Sequence, residues 1–235
     1  MTDIQDSINT YWTERAVPYD EYQEKPDRRE LDRAAWSDIW SEALGLGPLD
    51  VLDVGTGSGH VARVLAGLGH RVTGIDLAEG MLERARKHAE RMTNPPVFAH
   101  GDAVAPPYPA ASFDAVVNRY VMWTLRQPAT ALANWRKLLR PGGTLAVVDS
   151  TWFPNGLREE GNDYFQLLYN EQVRSALPLA EATSIEQTAA VIKEAGFIDV
   201  KTVPLATIYE LDQRYGVAPG HEVQLQYLIR ATNPA

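Results

Sequence analysis

The stretch that decides the fold is VLDVGTGSGH, residues 51–60. Val51, Leu52 and Val54 flank an aspartate in a short apolar run that reads as a buried strand, and glycines follow at 55, 57 and 59. His60 then opens a helical run to Leu68. A glycine-rich turn between strand and helix lets backbone amides approach a nucleotide closely, so a nucleotide-type ligand is expected there.

The dinucleotide fingerprint G-x-G-x-x-G requires a third glycine where this chain has His60. Asp53 carries more information than that departure. At the end of the strand it faces the place of a pyrophosphate, where its charge opposes two phosphates but suits an ammonium and a sulfonium. Those two groups belong to S-adenosylmethionine. Asp76, about 20 residues beyond the first glycine, is placed to accept hydrogen bonds from both ribose hydroxyls. Met81, one helical turn further, either covers an adenine face or packs on the sheet. In GDA at 101–103, Asp102 either accepts from the adenine amino group while the Ala103 amide donates to the ring, or serves as an N-cap or turn former.

Outward from this site, strands are expected at Asp50–Val54, Arg71–Asp76, Val97–His100, Phe113–Asn118 and Thr144–Asp149. They are nearly continuous in apolar residues, as parallel strands covered on both faces should be. Helical patterns lie between them at His60–Leu68, Ala78–Arg91 and Pro128–Leu139, with a loop at Ala103–Ser112. Alternation of this kind predicts a doubly wound α/β sheet.

Before the sheet, Ile4, Ile8, Tyr11 and Trp12 mark a helix expected to stop near Arg15, ahead of Val17-Pro18. PYDEYQEKP follows as a loop. A second helix from Asp27 turns Leu31, Ala35, Trp36, Ile39, Trp40 and Leu44 to one side and is closed by Gly45 and Gly47. After residue 150 an aromatic-rich segment is expected to be helical from about Leu157. Thr183-x-x-Glu186 reads as a capping box for a helix to Ala195, with Gly196 closing it. Two last strands, Ile198–Leu205 and Glu222–Arg230, are expected on either side of a long loop.

With 235 residues the chain fits one domain. A formal net charge of -9 and no Lys/Arg run disfavour nucleic acid as partner. Arg84, Arg86, Lys87, His88 and Arg91 are interleaved with acids and read as a solvated helix face. The absence of cysteine removes disulfides, thiolate nucleophiles and Cys-based metal sites, and no metal is expected. No segment has the ~20 apolar residues of a membrane span, and the start has no signal-peptide pattern, so no membrane association and a cytoplasmic location are expected.

VLDVGTGSG, GIDLAEGML, HGDA, FDAVVNRYVMWTL and LLRPGGTLAVVD stand in order over about residues 49–150. In these the chain resembles a class I S-adenosylmethionine-dependent methyltransferase, of the small-molecule, UbiE-like type 11 kind. The resemblance implies a Rossmann-like seven-stranded sheet of order 3-2-1-4-5-7-6 with strand 7 antiparallel. It implies a single domain over 1–235, with residues 1–45 a helical lid, 49–150 the cofactor core, 151–180 a lid insertion and 183–235 a C-terminal helix and strands. A homodimer is compatible with it.

It implies S-adenosyl-L-methionine as cofactor, held by Asp53, Gly55, Thr56, Gly57, Asp76, Leu77, Met81, Asp102, Ala103, Asn118 and Arg119. NRYV at 118–121 departs from the [DN]-P-P-[YFW] of amino-methylating nucleic-acid enzymes, which argues against base methylation. Methyl transfer from a sulfonium needs geometry more than a strong base. No histidine stands out as a base: His60, His70, His88, His100 and His221 all read as structural. Tyr19 and Tyr120 are the catalytic candidates, and Tyr22, Glu24, Trp123, Asp149 and Trp152 the substrate candidates.

The Trp, Tyr and Phe content of 1–45 and 151–180 suits a small, flat, partly apolar acceptor. The competing readings are a nicotinamide-dependent oxidoreductase and a non-catalytic module that binds an adenosyl ligand.

Overall fold

A computed structural model describes residues 4–45, 47–153, 155–157, 163–218 and 222–234. Its strands are β1 (Asp50–Val54), β2 (Arg71–Asp76), β3 (Val97–His100), β4 (Phe113–Arg119), β5 (Leu139–Asp149), β6 (Ile198–Pro204) and β7 (Tyr227–Thr232). They form one sheet of order β3-β2-β1-β4-β5-β7-β6. The first five strands run parallel, and β7 is antiparallel to both β5 and β6. β1 lies between β2 and β4, so the chain leaves it in one direction and later returns on its other side. That switch opens a crevice at the carboxyl ends of β1 and β4, where ligands of open α/β sheets bind.

The helices are α1 (Ile4–Gln23), α2 (Arg29–Leu44), α3 (His60–Gly67), α4 (Glu79–Ala89), α5 (Pro128–Leu138), α6 (Asp163–Leu168), α7 (Glu171–Ser175), α8 (Ile185–Glu194) and α9 (Ala206–Tyr215). α5 and α8 cover one face through Leu132, Trp135, Ile185 and Ile192. The other face is covered by α2, α3 and α9 through Trp36, Trp40, Leu65 and Ile208. Both faces of the central strands are thereby removed from water, which explains their uninterrupted apolar pattern. A third cluster joins α1 to α6 and α7 by Ile8, Tyr11, Phe165, Tyr169 and Val173.

Several expectations are corrected. α1 does not stop at Arg15 but runs through Pro18 to Gln23, so Tyr19 and Tyr22 stand on a helix. A proline inside a helix costs ~3 kcal/mol. The offset is tertiary: Ala16 packs with Ala78 and Met81, and Asp20 is tied to α4. Leu31 is exposed and Asp32 takes the buried position on α2, because Arg28 and Asp32 pair one turn apart and face Asp212 of α9.

The loop expected between the last strands contains α9, whose buried positions are Ile208 and Asp212. One of the two is charged, which hides the helical period. The capping box is shifted by one residue, to Ser184 and Gln187. β5 starts five residues before the expected Thr144, with an irregular step in its pairing to β4. β7 starts at Tyr227 instead of Glu222. The helix expected from about Leu157 is described from Asp163, residues 158–162 and His221 lying outside the described residues. Among the described residues no helix is long and apolar enough to cross a membrane.

Candidate active site

β1 ends at Val54 and the chain turns through Gly55, Gly57 and Gly59, all at positive φ. At Gly55 (φ 65°) an added Cβ would lie 2.5 Å from a Val121 methyl, so only glycine fits the turn against β4. At Gly57 (φ 55°) the only atom within reach of a Cβ is the Met81 sulfur, at 4.0 Å. The backbone there borders open space. That is a cradle for a ligand, left clear by the missing side chain.

The space is a cleft of about 1010 Å³, counted out to solvent, between the β1–α3 turn and α1. Gly55, Thr56 and Gly57 line it from the turn, and Asp76, Leu77 and Met81 from the end of β2 and the start of α4. Asp102 and Ala103 line it beyond β3, and Arg119 and Tyr120 beyond β4. Tyr19 and Trp12 close it from α1.

The Gly57 N–H donates to Asp76 Oδ2 at 2.9 Å and the Ala78 N–H to Oδ1 at 2.8 Å. Burial pushes the Asp76 carboxyl up and these amides pull it back. The Leu77 amide adds to these two, and the carboxylate still lines the cleft, where it can accept from a ligand hydroxyl. The Val104 N–H donates to Asp102 Oδ1 at 2.8 Å. Asp102 is thus both turn former and cleft wall. Met81 likewise fulfils both of its readings, being buried against Ala16 and Ala78 while facing the cleft.

Four candidate residues border neither this cleft nor the cavity beside it. Asp53 is 1% exposed and sits beneath the turn, where the Thr56 hydroxyl donates to its Oδ2 at 2.6 Å. Burial pushes its carboxyl up to about 7, against the opposing pull of Thr56 and Arg119. Its place is behind the turn and not opposite a ligand, because β1 carries it into the sheet. Asn118 is fully buried one residue short of the edge. Glu24 points away and pairs with Arg63 at 2.7 Å. Asp149 is buried at the end of β5, accepting from the Ser150 N–H and the Trp152 indole N–H, and burial pushes it up to about 7.

A second cavity of about 960 Å³, again counted out to solvent, adjoins the first. The two share Trp12, Tyr19, Gln23, His60, Arg119 and Tyr120 as a common border. Tyr22, Trp36, Trp123, Trp152 and Phe153 add aromatic wall, and Arg28, Asp32, Asp212 and Gln226 a polar one. The polar wall is internally joined. Arg28 donates to Asp32 and Asp212 at 2.6 Å each, and Gln226 Nε2 donates to Asp212 Oδ2 at 2.8 Å. The Tyr120 hydroxyl donates to Gln226 Oε1.

Burial raises the Tyr120 hydroxyl's pKa, and its proton is already committed to Gln226. The geometry makes Tyr120 a fixed wall and not a proton acceptor. It holds φ 65°, rare for a bulky residue and a mark of a position held in place by its surroundings. Its ring meets Trp152 edge-on at 4.8 Å, and Asp149 fixes that indole from behind. Asp149 therefore acts on the cavity through Trp152.

Trp12, Gln23, Arg28, His60, Trp36 and Gln226 were not singled out for the site by sequence. Trp12 and Trp36 carried a signal, as aromatic positions on amphipathic stretches, but that signal cannot separate packing from lining. His60 is half-buried at the common border, and its basicity is lowered well below the ordinary value, by loss of hydration and then by nearby arginines.

A methyltransferase-domain family matches residues 52–147, which run from β1 to β5 and include the whole glycine turn. The chain carries a methyltransferase domain. Among curated relatives of the methyltransferase domain, a ubiquinone biosynthesis O-methyltransferase of Maricaulis maris is 32% identical over 55% of this chain and 57% of that protein. An S-adenosyl-L-methionine-dependent Diels-Alderase of Talaromyces variabilis is 29% identical over 65% of this chain and 54% of that protein. The chain thus spans little more than half the length of these relatives. Among solved structures, phosphoethanolamine N-methyltransferase 2 of Haemonchus contortus, in complex with phosphomonomethylethanolamine and S-adenosylhomocysteine, superposes with a TM-score of 0.72 at 19% identity, over 100% of this chain and 61% of that one. The methyltransferase domain has that enzyme's fold.

Proposed function

We propose that the protein transfers a methyl group from S-adenosyl-L-methionine to a small, flat, partly apolar acceptor. The observation that supports this best is the pair of cavities with a common border. One has the groups an adenosyl ligand needs, and the other has the aromatic walls and few polar groups that small-molecule sites use.

In this reading Asp76 accepts from the ribose hydroxyls, Asp102 and Ala103 meet the adenine, and the Gly55–Gly57 backbone leaves room for the methionyl arm. Met81 and Leu77 give the apolar contact. The bound donor supplies a methyl carbon on a positively charged sulfur, already activated for displacement. The chain's own part is to hold the acceptor in line with it: Tyr19, Tyr120 and Trp12 border both cavities, and Tyr22, Trp123 and Trp152 wall the acceptor side. Orientation of this kind is worth several powers of ten in rate.

Nucleic acid is not the proposed acceptor. Three of the four basic residues of α4 are engaged within the chain, Arg84 and His88 with Asp20 and Arg86 with Glu79, so the helix offers no cluster of free cations.

The test is an acceptor screen with isotopically labelled donor, alongside titration of the protein with S-adenosylhomocysteine. Asp76→Ala is expected to weaken S-adenosylhomocysteine binding by about tenfold or more, since it removes two anchored acceptors from the ribose position. Undiminished binding in that variant, or methylation of RNA or protein only, refutes the assignment.

A further inference from the structure

One cation at the border of the two cavities makes no direct ion pair among the described residues, although the carboxylates of Asp53 and Asp212 lie near enough to feel its charge. The neighbouring arginines are all engaged: Arg28 with Asp32 and Asp212, Arg63 with Glu24, Arg84 with Asp20. Arg119 has no ion pair or hydrogen bond among the described residues. Its guanidinium carbon lies 5.1 Å from the centre of the Trp36 ring and 4.6 Å from that of Tyr120. Aromatic faces hold a planar cation without satisfying its N–H groups, which remain available to an acceptor in the plane. A guanidinium fixed in this way matches a carboxylate, which takes two parallel N–H bonds.

Resting on the proposed methyl-transfer reading, we infer that Arg119 binds a carboxylate carried by the acceptor, which makes the acceptor class a small aromatic carboxylic acid. The donor's methionyl group also carries a carboxylate, so position has to separate the two sources. Arg119 borders both cavities, but Trp36, which braces the guanidinium, borders only the second. The other charged groups facing that cavity are Arg28, Asp32, Asp212 and Glu222. Arg28 is spent on two of these acids, so Arg119 is the cation left for an anionic ligand. The carboxylate serves as an anchor, and the ring lies among Trp36, Tyr120 and Trp152.

The experiment uses the full chain with and without saturating S-adenosylhomocysteine. Benzoate, phenylacetate and 4-hydroxybenzoate are titrated by ligand-observed NMR and calorimetry against the neutral benzamide and phenol. The carboxylates are expected to bind at least about tenfold more tightly than the neutral probes, and Arg119→Gln to remove that preference. S-adenosylhomocysteine affinity in the same variant is expected to fall by a smaller factor than the carboxylate preference, since Arg119 also borders the donor cleft. Arg119→Lys, which keeps the charge without the planar fork, should retain part of the preference and guards against a folding defect in the glutamine variant.

Loss of S-adenosylhomocysteine affinity in Arg119→Gln with carboxylate binding intact would assign the guanidinium to the donor and overturn the inference. Equal binding of carboxylate and amide probes, or no carboxylate binding up to millimolar concentration, overturns it as well. Failure of the donor reading shows separately, as no binding of S-adenosylhomocysteine by the unaltered protein.

Discussion

Asp149 shows how a residue can serve a site that it does not touch. It is fully buried, its carboxyl is pushed up to about 7, and it holds the Trp152 indole against Tyr120. Unfolded, the same carboxyl titrates near its ordinary value of about 4. Between those values the folded chain keeps a proton that the unfolded chain releases, so rising pH lowers stability across that window and the loss is complete above about 7. Asp149→Asn keeps an oxygen for the Trp152 and Ser150 donors and removes the ionisation. It is expected to gain stability over the parent on going from about pH 5 to about pH 8, by the order of 2 kcal/mol. Denaturant unfolding at the two pH values measures this, and a pH-independent difference would show that Asp149 is not the titrating group. At the same scale, Asp53 and Asp76 look alike in sequence as acids at strand ends. One lies under the turn and the other on the cleft, and only the geometry distinguishes them.

Among elements, α1 is the piece that completes both cavities, and a buried charge cluster attaches it to α4. Asp20 has a fully buried side chain, 2.5 Å from Arg84 and 2.9 Å from His88. Asp20, Glu24 and His88 bring their ligand-type atoms within 4.8 Å of one another, with Arg84 and Arg63 already bound to the two acids. Removing one partner of a buried pair leaves the other uncompensated, at a cost of about 3–5 kcal/mol when both are fully buried. Arg84 and His88 keep some contact with water, so Asp20→Asn is expected to cost less, about 1–3 kcal/mol. It should also loosen α1, visible as faster amide exchange over residues 4–23 than over β1 and β4. Uniform exchange across the chain would mean that α1 is held by its apolar face alone. The proline that seemed to end α1 is tolerated for the same reason: packing and this cluster together outweigh one missing hydrogen bond.

At the scale of the molecule, a ligand that binds only the folded chain stabilises it by mass action. S-adenosylhomocysteine at about 100 times its dissociation constant should add about 2.7 kcal/mol and raise the melting temperature by several degrees. NAD is expected to leave it unchanged, because His60 stands where the dinucleotide turn needs its third glycine. Stabilisation by NAD alone would revive the oxidoreductase reading. The chain carries the glycine turn with Asp76 and Asp102 on the cleft, and ligand binding and methyl transfer each have their own assay.

The sequence by itself determined the sheet. Strand–helix alternation, the glycine spacing and the acids at the ends of β1 and β2 are local patterns, set by backbone freedom and by burial on both faces, and they place β1 to β4 within a residue. The tertiary structure alone decided the second cavity. The rings of 151–180 split into Trp152 and Phe153, which line the second cavity, and Phe165 and Tyr169, which pack on α1. α9 and the Arg28–Asp212–Gln226–Tyr120 network bring together positions almost 200 residues apart. A ring or a charge has the same local signature whether it packs or lines a cavity. The difference lies in what stands opposite it, which only the folded chain specifies.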